Sequence, residues 1–75
     1  MRTLILTARS PRSFDTNNLM NLIDCLPGTQ KLSLNELMQF FPQRQIVIDL
    51  TDNAFDTTVP RIWNRLNHAF DIRQA

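Results

Sequence analysis

Residues 45–60 read QIVIDLTDNAFDTTVP, and how this stretch is divided decides the fold. Gln45–Leu50 is rich in β-branched residues and alternates, so it reads as a strand. Ile46, Ile48 and Leu50 share one face, and Val47 and Asp49 share the other. Thr51-Asp52-Asn53-Ala54-Phe55 has the composition of a loop. Asp56 or Thr57 then serves as the cap of a helix expected over 58–70. Pro60 falls in the first turn of that helix, where a missing N–H costs nothing. Val59, Ile62, Trp63, Leu66 and Phe70 recur at helical spacing and are expected to be buried. Arg61, Arg65 and His68, with Asn64 alongside, form a second, polar stripe. The tail Arg73-Gln74-Ala75 is expected to fray.

Working back toward the start, Ser33 and Glu36 have the spacing of a capping box, with Leu32 and Leu37 placed as a hydrophobic staple. They open a helix over 33–41, whose buried stripe is Leu34, Leu37, Met38 and Phe41 and which Pro42 stops. A further helix is expected over 17–26, capped by Asp15 or Thr16, with Leu19, Leu22, Ile23 and Leu26 on one face. Pro27-Gly28 ends it. Residues 2–8 alternate Thr3, Ile5 and Thr7 with Leu4, Leu6 and Ala8, and so read as a strand. Arg9-Ser10-Pro11-Arg12-Ser13 is a basic loop. The expectation is an α+β fold, one compact domain over 1–75, with β-α-α-β-α order. About 36 residues separate the strands, enough for a crossover, which favours a small two-stranded parallel sheet packed by three helices.

Seventy-five residues support one core and no second domain. A domain of this size buries only about 60% of its unfolded surface, so its stability alone is marginal. One cysteine excludes an internal disulfide, and one histidine leaves no Cys/His zinc set. The formal net charge of +1 is far from the basic balance of a dedicated nucleic-acid binder. The opening apolar run is too short for a signal peptide, and no stretch approaches a membrane span. An unpaired thiol fits a reducing compartment, so the cytoplasm is expected.

Three chemistries arise from the residue types present. Asp49, Asp52 and Asp56 beside threonines resemble a Mg²⁺ site in composition, but a helix cap, a turn and a strand end account for them individually. Gly28 is the only glycine, so there is no phosphate-cradling loop. Cys25 and His68 form a nucleophile and base only if the fold brings them together, and nothing in the sequence does. Neither an enzyme nor a cofactor or small-molecule substrate is expected.

The run Ile46–Leu50, a loop carrying Phe55, and then Asp56-Thr57-Thr58 opening a helix resembles part of a STAS domain, the anti-sigma-factor antagonist fold. That resemblance implies a phosphorylatable hydroxyl at Thr57 or Thr58. Two departures set it aside: Val59-Pro60 stands where the family usually has glycine, and the chain is short for that family's sheet.

Two binding surfaces remain. Arg61, Asn64, Arg65 and His68 offer the side chains that read base edges, and Arg9 and Arg12 would add phosphate contacts. Open strand edges bearing Ile5 and Val47 invite pairing with another chain. Phe14, Phe40 and Phe55 lie beyond the regular stripes, as interface aromatics do. The leading expectation is a small protein-binding module: an adaptor, regulator or inhibitor of a larger complex, of the kind phages and plasmids encode. Its partner would be another protein or a second copy, and its contacts Arg61, Asn64, Arg65, His68, Arg9, Arg12 and Phe14. The alternative is a small DNA-binding transcriptional regulator using the 58–70 helix.

Overall fold

Strand β1, Arg2–Ala8, lies at the centre of the sheet because both of its edges are taken by segments from later in the chain. The computed structural model describes all 75 residues. After β1, a 3-10 turn at Pro11–Phe14 leads into helix α1, Thr16–Cys25, and a second turn at Gly28–Gln30 leads into the short helix α2, Leu34–Met38. A third turn at Phe41–Gln43 precedes strand β2, Gln45–Leu50. Helix α3, Asp52–Leu66, and strand β3, Phe70–Gln74, complete the fold.

The sheet is three-stranded and antiparallel in the order β2-β1-β3, which corrects the expected two-stranded parallel pair. A long connection permits a parallel crossover but does not require one. Here the registers Leu4↔Ile48 and Leu6↔Ile46 align apolar residues on one face. The parallel relation exists elsewhere: β2 and β3 both run against β1, so α3 links two parallel strands across an intervening one. This is the split β-α-β arrangement.

The period of two then divides the sheet. Leu4, Leu6, Ile46, Ile48, Leu50 and Phe70 are all at most 4% exposed and form the inner face with the helices. From α1 come Leu19, Leu22 and Cys25, and from α3 come Phe55, Ile62 and Leu66, all within the same core. Each such side chain contributes about 1.5–3 kcal/mol on burial. The other face carries Thr3, Ile5, Thr7, Val47, Asp49, Asp71 and Arg73 and has no helix over it, with Val47 43% exposed. Antiparallel sheets tolerate one wet face.

The helix boundaries differ from expectation for identifiable reasons. α1 begins one residue early, its Asp15 cap accepting from the Asn18 amide at 2.8 Å. The Ser33–Glu36 capping box forms, both of its bonds lying within 3.1 Å, but α2 lasts only to Met38, short of 41. Met38 and Phe41 are therefore nearly half exposed rather than buried. Arg44 closes the following turn in the left-handed region at φ 58°. There its carbonyl accepts from the Ala8 amide at 2.8 Å and begins the β1–β2 ladder.

α3 departs most. It starts at Asp52 rather than 58, because Thr51 caps it through a bond from the Ala54 amide. Pro60 thus lies inside the helix, on its exposed side, and not in the first turn. The helix stops at Leu66, where the Asn67 side chain donates back to the Trp63 carbonyl at 2.7 Å. Phe70 consequently belongs to β3, and Arg73-Gln74, expected to fray, is paired with Ile5-Leu4. No helix is long and apolar enough to cross a membrane.

Candidate functional site

The hydrogen-bond alternation of an antiparallel ladder identifies which main-chain groups remain free. The Arg9 amide donates to the Ala69 carbonyl at 2.9 Å, and the Ala75 amide donates to the Thr3 carbonyl at 3.0 Å. Odd-numbered residues of this segment therefore face β1. Phe70, Ile72 and Gln74 direct their N–H and C=O groups away from the sheet, and no other backbone group of the chain meets them. The same reasoning on β2 leaves Gln45, Val47 and Asp49 pointing outward. That edge is partly occupied, since the Gln30 side chain donates to the Asp49 carbonyl at 3.0 Å. β3 is the open edge.

Beside it stands Trp63. The sequence stripe assigned this residue to the core, yet it is 51% exposed. It shares an open depression with Ile72 and Arg73 of β3 and with Arg9 and Asp71. The exposed tryptophan thus stands next to strand groups that no other backbone group of the chain meets. Both features escape the sequence because Phe70 lies four residues after Leu66, continuing the helical period over the start of β3. The alternation of Phe70 and Ile72 with Asp71 and Arg73 is the signal that finds the strand.

The residues singled out for binding do not form one site. Arg61, Asn64 and Arg65 are exposed on α3, whereas His68, expected on the same helix, is exposed in the turn that follows it, because α3 ends at Leu66. Arg61 donates to the Asp24 carbonyl at 3.3 Å, at the end of α1, where a cation meets the negative pole of the helix. Arg65 makes neither a hydrogen bond nor an ion pair within the chain. Arg12 approaches His68 across a polar depression that also includes Ser10, Asp15 and Asn18. Arg9 is committed elsewhere: its guanidinium bridges the Asp71 carboxylate at 2.9 Å and donates to the Asn67 carbonyl at 2.9 Å. These contacts fasten the end of β1 to the start of β3. Phe14 is a correction, being 4% exposed and packed edge-on against Phe41 and Phe70. Phe55 is buried and Phe40 partly so, which leaves Phe41 as the phenylalanine at the surface.

The acidic residues do not converge. Asp56 pairs with Arg2 at 3.2 Å, Asp49 accepts from Thr3 at 2.7 Å, and Asp52 lies 4.0 Å from the chain's amino terminus. No three potential metal ligands gather anywhere. Cys25 is buried, and His68 is exposed in the turn between α3 and β3. Thr57 and Thr58 are in the second turn of α3, not at its start, and Thr58 is 2% exposed. Comparison with models of protein families, with curated proteins and with solved structures finds no match to this chain.

Proposed function

We propose that the chain is a protein-binding module, an adaptor, regulator or inhibitor that engages its partner through the open edge of β3 and the adjoining Trp63. The observation that carries this reading is the free main-chain groups of β3 at Ile72 beside a half-exposed tryptophan in the same depression. Strand addition at such an edge takes its affinity from main-chain hydrogen bonds and its selectivity from nearby side chains. A tryptophan anchor supplies the apolar area that a short edge lacks.

A second reading rests on Arg65, which no acidic side chain neutralises, and on its place on α3 with Arg61 and Asn64, His68 following in the next turn. On that reading, α3 enters a DNA groove and the chain is a small transcriptional regulator. The net charge of +1 argues for the first.

A tagged chain incubated with lysate of its source cells, with and without nuclease, separates the two. The protein-binding reading expects a protein that survives nuclease and is lost with Trp63→Ser. Recovery of nucleic acid alone would overturn it. The DNA reading then expects a salt-sensitive mobility shift that Arg61→Ala with Arg65→Ala abolishes, since phosphate contacts release counterions.

A further inference from the structure

We infer that the occupant of the β3 edge is a second copy of this chain, paired antiparallel with its own β3 about a two-fold axis at Ile72. This rests on the protein-binding reading above and names its partner. The strand reads Phe70-Asp71-Ile72-Arg73-Gln74, and it is complementary to itself when reversed. Ile72 meets the second copy's Ile72, Asp71 meets Arg73 and Arg73 meets Asp71, while Phe70 stands opposite Gln74.

The main-chain geometry agrees with the side chains. Phe70, Ile72 and Gln74 are the residues whose N–H and C=O groups point outward, so both the Ile72 pair and the Phe70–Gln74 pairs become hydrogen-bonded pairs. Asp71 and Arg73 then occupy non-hydrogen-bonded positions, where opposed side chains approach most closely. Opposite charges there are stabilising, and the sequence places one on each side of the axis. The Asp71 carboxylate has capacity for both partners, because Arg9 engages Oδ1 and Oδ2 is left for the incoming guanidinium. Arg73 makes no ion pair within its own chain. Ile72 is partly buried against the core, and Trp63 lines the depression it shares with Ile72, so the axis passes beside the exposed indole.

The β2 edge fits a second copy less well. Reversal about Val47 would set Gln45 against Asp49, whose carbonyl already accepts from Gln30, and would pair no opposite charges. Pairing β3 with itself closes the assembly as a dimer with one continuous six-stranded sheet, whereas joining β2 to β3 would build an open filament.

Sedimentation equilibrium of the full chain from about 1 µM to about 1 mM covers the range in which a small interface associates. The expected result is a monomer–dimer equilibrium in which emission from Trp63, the chain's one tryptophan, moves to shorter wavelength as dimer forms. Arg73→Asp sets carboxylates against each other twice and is expected to weaken the dimer at least tenfold. Arg73→Lys, which keeps the charge and leaves the Arg9–Asp71 bridge in place, is expected to retain it. Amide hydrogen exchange gives a readout independent of any variant: Ile72 and Gln74 should gain protection as concentration rises. A chain that stays monomeric throughout, a dimer indifferent to Arg73→Asp, or unprotected Ile72 and Gln74 amides would each overturn the inference. A monomer that still captures another protein in a Trp63-dependent way would remove self-pairing and leave the protein-binding reading intact. A monomer that captures none removes both.

Discussion

Replacing Pro60 with alanine is expected to stabilise the protein, and the size of the gain reports where α3 begins. In the observed fold Pro60 is preceded by two turns of helix starting at Asp52, so the Asp56 carbonyl has no amide to accept from. Proline in a helix interior is about 3 kcal/mol less favourable than alanine. The stiffer unfolded chain that proline confers returns about 0.4–1 kcal/mol. Pro60 and Asp56 are both exposed, so water satisfies part of what the missing bond leaves open. The net gain expected for Pro60→Ala is therefore about 1–2.5 kcal/mol. A domain of this length has about 4–11 kcal/mol in total, so the effect is large on that scale. It corresponds to a rise in melting temperature of about 4–20 °C. Urea unfolding followed by Trp63 emission and by far-ultraviolet circular dichroism measures it. Had the helix begun near Thr58, as the sequence suggests, Pro60 would sit where its missing amide is harmless and the substitution would be neutral or slightly destabilising. That result would refute the reasoning. Thr51→Ala checks the same boundary from the other end: loss of the cap should cost about 1 kcal/mol, against nothing if the segment is a loop.

Leu6, fully buried at the centre of the sheet, should lose about 2–5 kcal/mol on change to alanine in denaturant titration, while Val47→Ala on the uncovered face should cost far less. Ser13 is buried with its hydroxyl donating to the Ala69 carbonyl and accepting from the Ser10 amide. Ser13→Ala should therefore cost about 1–2 kcal/mol in the same assay. Arg44→Gly should stabilise by about 1 kcal/mol, because glycine enters the left-handed region without the steric penalty a side chain carries. Cys25 is fully buried, so a thiol reagent should modify it only as fast as the native state opens, and urea below the transition should accelerate labelling in proportion.

The parts of the fold legible in the sequence are those where local chemistry and tertiary demand coincide. Gln45–Leu50 alternates because one face of β2 is core and the other is water, and Ser33–Glu36 reads as a cap because it is one. Reading fails where one residue serves two patterns. Phe70 satisfies the helical period from Leu66 and the strand period with Ile72, and Asn67 supplies the helix stop without glycine or proline. Thr51-Asp52-Asn53 has the same composition as a turn and as the first turn of a capped helix. The proposed contact surface is obscured in consequence: a helical reading of 58–70 covers β3 and with it the free edge. Trp63 falls on the apolar stripe, so periodicity places it in the core although it is half exposed. The polar stripe of α3 was legible because its residues remain at the surface whichever boundary is right.

The central position of β1 sets the order in which the fold can be completed. Arg2–Ala8 is the first strand to leave the ribosome, yet its two partners are the segments 45–50 and 70–74. At about 5–20 residues per second, Leu4, Ile5 and Leu6 wait for seconds with no strand to pair with. During that interval the nascent chain has its helical middle available and its future sheet unformed, a state open to aggregation. Closure of the second edge needs β3 itself, so synthesis must pass Gln74 before the first strand is paired on both sides. Pairing partners so distant in the chain also make the search for the native register slow relative to helix formation. Relocating β1 to follow β3 by circular permutation would turn the longest-range pairing into a hairpin and should accelerate folding without altering the core.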